Sequence, residues 1–202
     1  GFNANIIKAT GRLVREEYSG AQITILPIGK KATEFFKKSS FETTDAGLTN
    51  LVEIWDGLTF ANASIIAEKI MQLFATGAYD KVELVYNQFK NAAVQVTMVE
   101  QYLPVKPPQA TEKKKALDYI FEPSKEYIVE DLIPRSLKTQ LFKGLLDSLA
   151  SEHGARMTAM HKATDNAGAL IKELKLSYNK ARQAAITGEI LEIVGGAEAL
   201  AG

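Results

Sequence analysis

Apolar residues recur at helical spacing in two stretches of the first half of the chain, residues 3–18 and 61–76, with charged side chains on the opposite face. This pattern predicts two amphipathic helices. A third helix is predicted over residues 30–38, directly after an apolar, β-rich run at 21–29, and a second short β-rich run follows at 41–47. The order of strand, turn and helix predicts an α/β domain.

Two longer β-rich runs, residues 81–89 and 92–105, follow the second amphipathic stretch and are joined by a short polar turn. Such a pair predicts a β-hairpin. With the alternating strands and helices before it, the hairpin predicts a small α/β sheet with flanking helices and an antiparallel edge. We assign residues 1–122 to this Rossmann-like α/β domain, with a proline- and lysine-rich loop at 103–115 and a last short strand at 117–123.

The pattern changes at Pro134, after which no further proline occurs. Proline suits the first turn of a helix, and strong helix formers fill most of the 60 residues between Pro134 and the Gly195–Gly196 pair. An unbroken helix over that stretch would be roughly 90 Å long, far beyond the roughly 8–20 residues of a typical globular helix. We therefore predict that residues 123–202 form a very long C-terminal helix, which projects from its own domain.

A projecting helix needs a partner to cover its apolar side chains, and the stripe along residues 160–181 indicates the kind of partner. Its members recur at spacings of three and four residues, as in a coiled-coil seam, and the alanines among them permit close approach. Two explanations stay open: dimerisation through this seam, or a matching helix removed from one end of the chain, which the abrupt start at Gly1 favours. The seam residues are Met160, Ala163, Ala167, Leu170, Leu174, Tyr178 and Ala181.

Composition narrows the range of functions. Lysine plus arginine and aspartate plus glutamate each number 24, so the formal net charge is zero. This argues against a nucleic-acid partner, because nucleic-acid binders carry a basic surplus. The absence of cysteine excludes a disulfide framework, a thiol nucleophile and thiolate metal sites. The most apolar long stretch, residues 58–79, is interrupted by Glu68 and Lys69, which predicts an amphipathic helix instead of a membrane span.

Catalytic chemistry has little support in the sequence. His153 and His161 are the only histidines, and their spacing does not match the i, i+4 pair that binds a metal from one helix. Gly29 and Lys30 lie between a predicted strand and helix, but the segment lacks the first glycine and the Ser/Thr of a phosphate-binding loop. We interpret this segment as a tight turn, and we expect no catalytic residue, no metal and no cofactor.

The C-terminal segment resembles the C-terminal helix of the gamma subunit of F-type ATP synthases. The resemblance is carried by SEHGARMTAMHKATDNAG at residues 151–168 and by LIKELKLSYNKARQAAITGEILEIVGGAEAL at residues 170–200. GFNANIIK at residues 1–8 resembles the segment that opens the α/β domain of that family. The similarity covers nearly the whole chain. Relative to the family pattern, the chain lacks the N-terminal helix and the strand before Gly1, and it has Gly188 where a long polar residue is usual.

The resemblance implies a non-catalytic central shaft of a proton-translocating rotary ATP synthase. In that family two antiparallel helices form a coiled coil inside a hexamer of alpha and beta subunits, while the α/β domain lies against the epsilon subunit and the ring of c subunits. The catalytic sites belong to the beta subunits. Association with the membrane would occur only through the complex, on the cytoplasmic face of a bacterial plasma membrane or an equivalent energy-transducing membrane.

The resemblance also implies roles for two groups of residues. The first would meet a loop of the beta subunit near a catalytic site, and consists of Arg182, Gln183 and Thr187. The second would form the foot that rests on the c ring and the epsilon subunit, and consists of Tyr119, Phe121 and Glu122.

Two other interpretations compete with the rotor. One is a stand-alone α/β ligand-binding protein with a dimerising coiled-coil tail, which predicts tight binding of a nucleotide or another ligand by the isolated chain. The other is a coiled-coil scaffold, which predicts a stable parallel dimer in solution.

Overall fold

The computed structural model describes residues 1–49, 51–106, 122 and 124–202. It divides into two compact units, Gly1–Ala155 and Arg156–Gly202. The first unit contains the strands and the beginning of the long helix, and the second consists of the rest of that helix. The predicted domain boundary after residue 122 stays a prediction.

Five α-helices and four strands, with one 3-10 turn and one π-helical turn, make up the described residues. In chain order they are α1 (Phe2–Glu17), β1 (Thr24–Ile25), α2 (Lys30–Phe36), β2 (Glu42–Thr43), the 3-10 turn (Glu53–Asp56), α3 (Phe60–Ala75), β3 (Val82–Asn91), β4 (Val94–Leu103), α4 (Lys125–Tyr127), the π-helical turn (Ile128–Leu132) and α5 (Ile133–Ala201). None of these helices combines the length and the apolar content that crossing a membrane requires.

The strands form two small sheets. β1 and β2 pair in parallel, with Thr24 opposite Glu42, and β3 and β4 form the predicted antiparallel hairpin. β1 is shorter than the β-rich run that predicted it, because Pro27 has no N–H to continue a ladder. Directly after it, Gly29 takes a φ of 112° at the start of α2, a conformation that glycine adopts readily. The predicted α/β class with flanking helices is confirmed.

The hairpin turn is stabilised by a side chain. Oδ1 of Asn91 accepts hydrogen bonds from the backbone N–H groups of Ala93 at 3.0 Å and of Val94 at 2.8 Å. Asparagine favours such turns because its side chain can replace a backbone acceptor. The pairing then runs from Asn91 opposite Val94 to Val82 opposite Leu103.

The core of the first unit lies between α3, the end of β4 and the first turns of α5. α3 starts at an N-cap, where Oγ1 of Thr59 accepts a 3.2 Å hydrogen bond from the backbone of Asn62. The hydroxyl of Tyr102, which is 1% exposed, donates a 3.0 Å hydrogen bond to the carbonyl of Leu137. The buried core residues are Leu51, Ile54, Ala63, Ile66, Ala67, Ile70, Tyr102, Leu103, Leu137, Leu141 and Leu145.

The predicted long helix is confirmed. α5 contains 69 residues in one helix, which corresponds to roughly 100 Å at 1.5 Å per residue. It begins with Ile133 and Pro134, as the preference of proline for a first turn leads one to expect. It also continues past Gly195–Gly196 to Ala201, within the predicted range of 123–202.

Candidate functional site

The second unit presents an apolar surface that its own residues do not cover. Every residue from 159 to 202 except Gly188 is exposed. Large apolar side chains in this stretch have about half or more of their surface accessible, for example Leu174 at 59% and Tyr178 at 69%. Monomeric proteins rarely expose an apolar surface of such extent unless it binds something. We therefore take the helix from residue 157 onward as the candidate site, a protein-binding surface.

All seven predicted seam residues lie on α5 and are exposed. Six steps from Met160 to Ala181 cover 21 residues, which is close to the 3.5-residue repeat of a left-handed coiled coil. The helix therefore places these residues in one stripe. The pairing of this stripe with another helix stays a prediction.

The apolar residues near the C-terminus are distributed differently from the seam. Ile190, Leu191, Ile193 and Val194 are 55%, 66%, 71% and 49% exposed. At 100° per residue these four positions point in at least three directions around the helix axis. Ile190, Ile193 and Val194 lie within about 100° of one another, a width that one partner helix can cover, whereas Leu191 points about 160° away from Ile193. A single seam would leave Leu191 uncovered, so this tip fits a surrounding apolar sleeve better.

The predicted beta-subunit contact residues lie between the seam and the tip. Arg182, Gln183 and Thr187 are all exposed on α5. Gln183 and Thr187 are four residues apart and share a face, whereas Arg182 lies beside them and above Ile186. Arg182 forms no ion pair within the described part of the chain, so its guanidinium is available to a carboxylate of another protein. The contact itself stays a prediction.

The predicted foot falls largely outside the described residues. Tyr119 and Phe121 are not among them, and Glu122 is exposed in a bend. The proximity of the three residues is therefore not tested, and their role stays a prediction.

Two tyrosines of the first unit with raised pKa values, Tyr86 and Tyr102, are buried in its packing. Burial raises the pKa of Tyr86 to about 12, and it also raises the pKa of Tyr102, whose hydroxyl bonds to the helix backbone. His153 is 69% exposed at its side chain, with Nδ1 3.8 Å from Glu152. In the described ranges no group of three or more His, Cys, Asp or Glu side chains could hold a metal ion.

The Gly29 segment has the close packing of a tight turn. A Cβ added at Gly29 would lie 2.8 Å from Nε1 of Trp55, so the indole occupies the space next to the glycine. Oγ1 of Thr33 donates a 3.0 Å hydrogen bond back to the Gly29 carbonyl.

A partly buried polar network joins the end of α1 to the start of β3, and the sequence pattern did not identify it. The hydroxyl of Tyr18 donates a 2.6 Å hydrogen bond to Oε1 of Glu83, and Nζ of Lys81 lies 2.8 Å from the same oxygen. Burial alone would raise the pKa of Glu83, but the hydrogen bonds from Lys81 and Tyr18 outweigh it and the pKa is lowered. The network holds the end of the first helix on the hairpin.

The family model and the similar curated proteins agree on one family. Residues 1–200 match the family described as ATP synthase. Over 201 residues the chain is 61% identical to the ATP synthase gamma chain of Christiangramia forsetii and 57% identical to that of Flavobacterium johnsoniae. Both alignments include 100% of this chain and 68% of the relative.

Two solved structures are also similar. The first is the central stalk and c ring of the mitochondrial ATP synthase of Tetrahymena thermophila, with a TM-score of 0.54, 25% identity, and coverage of 80% of this chain and 69% of that one. The second is a chain from the OSCP/F1/c-ring structure of the Euglena gracilis mitochondrial ATP synthase, with a TM-score of 0.58 over 99% of this chain and 69% of that one. At 22% identity, the second similarity concerns the fold alone.

Proposed function

Since this chain belongs to the gamma-chain family of ATP synthases, we propose that it is the rotating shaft that couples the membrane c ring to the catalytic sites of the beta subunits. In this role the chain is a non-catalytic subunit of a proton-translocating F-type enzyme. ATP is made and hydrolysed on the beta subunits. The rotational angle of the gamma chain determines the conformation that each beta subunit adopts.

The observation that carries this proposal is the exposed apolar surface of the second unit. A helix with Leu174 and Tyr178 exposed by 59% and 69%, and with an apolar tip facing several directions, is not stable in water by its own packing. Its covering has to come from other protein surfaces. A coiled-coil partner along the seam and a sleeve of alpha and beta subunits around the tip would supply it.

We propose that the seam is one half of an antiparallel coiled coil. The three alanines of the seam, Ala163, Ala167 and Ala181, leave room for a second helix at close distance. The gamma chains of the relatives are longer than the matched stretch, which is 68% of their length. Their remaining third is long enough to include a partner helix.

The beta-subunit contact would make the conformation of each beta subunit depend on the rotational angle of the shaft. Arginine suits this role because its planar guanidinium can hold a carboxylate with two parallel hydrogen bonds and release it when the geometry changes. As the shaft turns, Arg182, Gln183 and Thr187 would face one beta subunit after another. Each site would then favour the conformation that makes the stronger contact with the shaft at that angle.

At the other end, Tyr119, Phe121 and Glu122 would rest on the c ring and the epsilon subunit. Each proton that crosses the membrane supplies about 2.3 kcal/mol of free energy per 100 mV. The free energy of several protons therefore has to be combined before one ATP is released. A long helical shaft can store that work as elastic twist. The chain would be peripheral, on the cytoplasmic face of a bacterial plasma membrane or its equivalent, and held there only by the complex.

The test is the double substitution Arg182→Ala/Gln183→Ala in the assembled ATP synthase. We expect proton-driven ATP synthesis to fall by about 5- to 150-fold, the range of coupling free energies of about 1–3 kcal/mol. The unfolding free energy of the chain should change by less than about 0.5 kcal/mol, because both side chains are exposed. Unchanged ATP synthesis would refute the contact role.

The matched control is Lys172→Ala/Glu173→Ala, another pair of exposed residues on the same helix. It should leave ATP synthesis close to that of the unaltered enzyme. Isothermal titration of the isolated chain with ATP checks the competing interpretation as a ligand-binding protein, since tight nucleotide binding would contradict the rotor.

A further inference from the structure

Helix α5 packs on the hairpin at two glycines, and at Gly154 the contact is too close for a side chain. A Cβ added at Gly154 would lie 3.2 Å from Cα of Ala92 and 3.2 Å from Cε2 of Phe89. At Gly144 an added Cβ would lie 3.6 Å from Cδ1 of Tyr86, an ordinary van der Waals distance, so this position lies on the hairpin but has room for a methyl group. The first of these contacts involves backbone atoms, so the neighbouring chain cannot move away by rotating a side chain. The helix and the hairpin therefore meet without space for a larger residue at Gly154.

A buried hydrogen bond joins the same two elements between the glycines. Ser151 is 0% exposed, and its Oγ donates a 3.1 Å hydrogen bond to the backbone carbonyl of Asn87. Asn87 is itself buried at 3% exposure, and Oγ1 of Thr97 donates a 2.8 Å hydrogen bond to its Oδ1. Ser151 is thus fixed by steric fit and by a directional bond.

These contacts oppose rotation of the helix about its own axis. Gly144, Ser151 and Gly154 are spaced by seven and three residues, so they share one broad face of α5. A turn of about 100° would replace them with sequence neighbours, such as Glu152 or His153. Those side chains do not fit where even a Cβ would lie 3.2 Å from backbone. The helix can turn relative to the hairpin only if the two separate.

We propose that Gly144, Ser151 and Gly154, here called the hairpin clamp, carry the torque between α5 and the α/β unit. The clamp fixes the rotational angle of the helix, so that the α/β unit and the shaft turn together. This inference rests on the proposed rotor function, because torque passes through this contact only if the helix turns as part of a shaft. The clamp residues are positioning residues, since they act by holding the helix and contact no substrate.

The test uses the assembled ATP synthase in vesicles and measures protons pumped per ATP hydrolysed. Gly154→Ala and Ser151→Leu should lower this ratio by at least about twofold, because overpacking forces the clamp apart. The matched control is Gly11→Ala on α1, outside the clamp and the candidate site, where an added Cβ would meet only the flexible Arg15 side chain, 3.6 Å from its Nη1. It should leave the ratio unchanged.

The ratio of protons pumped to ATP hydrolysed distinguishes rotation of the helix relative to the α/β unit from a general loss of stability. A subunit that is only less stable lowers the amount of assembled enzyme, and with it pumping and hydrolysis in proportion, so the ratio stays constant. An unchanged ratio in both clamp variants would overturn the clamp. If instead the enzyme with the unaltered chain failed to couple pumping to hydrolysis, the rotor proposal itself would be wrong.

A second measurement covers the case in which the clamp variants do not assemble. Hydrogen exchange of the unaltered enzyme can be compared at rest and during ATP turnover. We expect the amides of residues 86–92 and 144–154 to keep the same protection in both states. Faster exchange of these amides during turnover would show that the contact opens as the shaft turns, and the clamp would be rejected.

Discussion

The two parts of helix α5 share one continuous backbone and have opposite environments. In residues 133–155, Leu141 and Leu145 are 3% and 7% exposed, because α3 and the hairpin supply apolar side chains opposite them. In residues 156–201, Leu174 occupies the same kind of position on the helix and is 59% exposed. The difference therefore arises from the neighbours of the helix, and both parts have the same helical pattern.

This contrast separates two uses of an apolar stripe. In the first part the stripe stabilises the unit to which it belongs, since burial of apolar area is the main favourable term in folding. In the second part it contributes little to the isolated chain and is available for association. Stability measurements on the isolated chain and activity measurements on the assembled enzyme should therefore respond to different halves of one helix.

The largest effect is expected when a buried leucine of α5 and an exposed leucine of the same helix are each replaced by alanine. Leu141→Ala should lower the unfolding free energy of the first unit by about 2–5 kcal/mol, because it removes buried methyl groups and leaves a cavity. Urea unfolding followed by the fluorescence of Trp55, the only tryptophan in the chain, measures the change. The matched variant Leu174→Ala should change the same transition by less than about 0.5 kcal/mol. Equal losses would mean that the second part of α5 is buried in the isolated chain.

A smaller effect is expected from a pair of tyrosines. Tyr102→Phe removes the 3.0 Å hydrogen bond to the carbonyl of Leu137 inside the core and should cost about 1 kcal/mol in the same urea titration. Tyr178 is 69% exposed, so Tyr178→Phe should have no measurable effect on the isolated chain. A loss in the second variant that matched the first would contradict the assignment of Tyr178 to an unpaired surface.

The smallest effect concerns the Tyr18, Lys81 and Glu83 network and depends on pH. The pKa of Glu83 is lowered in the folded chain, so its contribution to stability is present above the ordinary value of 4.5 and is lost as pH falls through and below it. At pH 7, Glu83→Gln should cost at most about 1 kcal/mol, because Lys81 is partly solvent-exposed and screened.

Below pH 4 the difference in unfolding free energy between Glu83→Gln and the unaltered chain should become smaller. Urea unfolding of both chains at a series of pH values measures this difference. The matched variant Glu173→Gln, at an exposed position of α5, should show no such dependence on pH. If the loss of unfolding free energy caused by Glu83→Gln stayed constant from pH 7 to pH 3, the Glu83 carboxylate would not be stabilised by Lys81 and Tyr18.

The sequence by itself determined the features that depend on local spacing. The amphipathic helices, the hairpin and the long helix after Pro134 follow from periodicities within a few turns or residues. The motif-like runs of α5 gave the family, because their residues are consecutive. The predicted contact at Arg182, Gln183 and Thr187 came from the resemblance alone.

Only the tertiary structure decided which halves of those elements are buried and what holds them. Ser151 bonds to Asn87, which is 64 positions away, and Tyr18 bonds to Glu83 across 65 positions. Nothing in the local pattern distinguishes Ser151 from an exposed serine, or Gly154 from a glycine in open space such as Gly168. Periodicity states which face of a helix is apolar, but burial is a property of pairs of surfaces, and only the fold shows which surfaces meet.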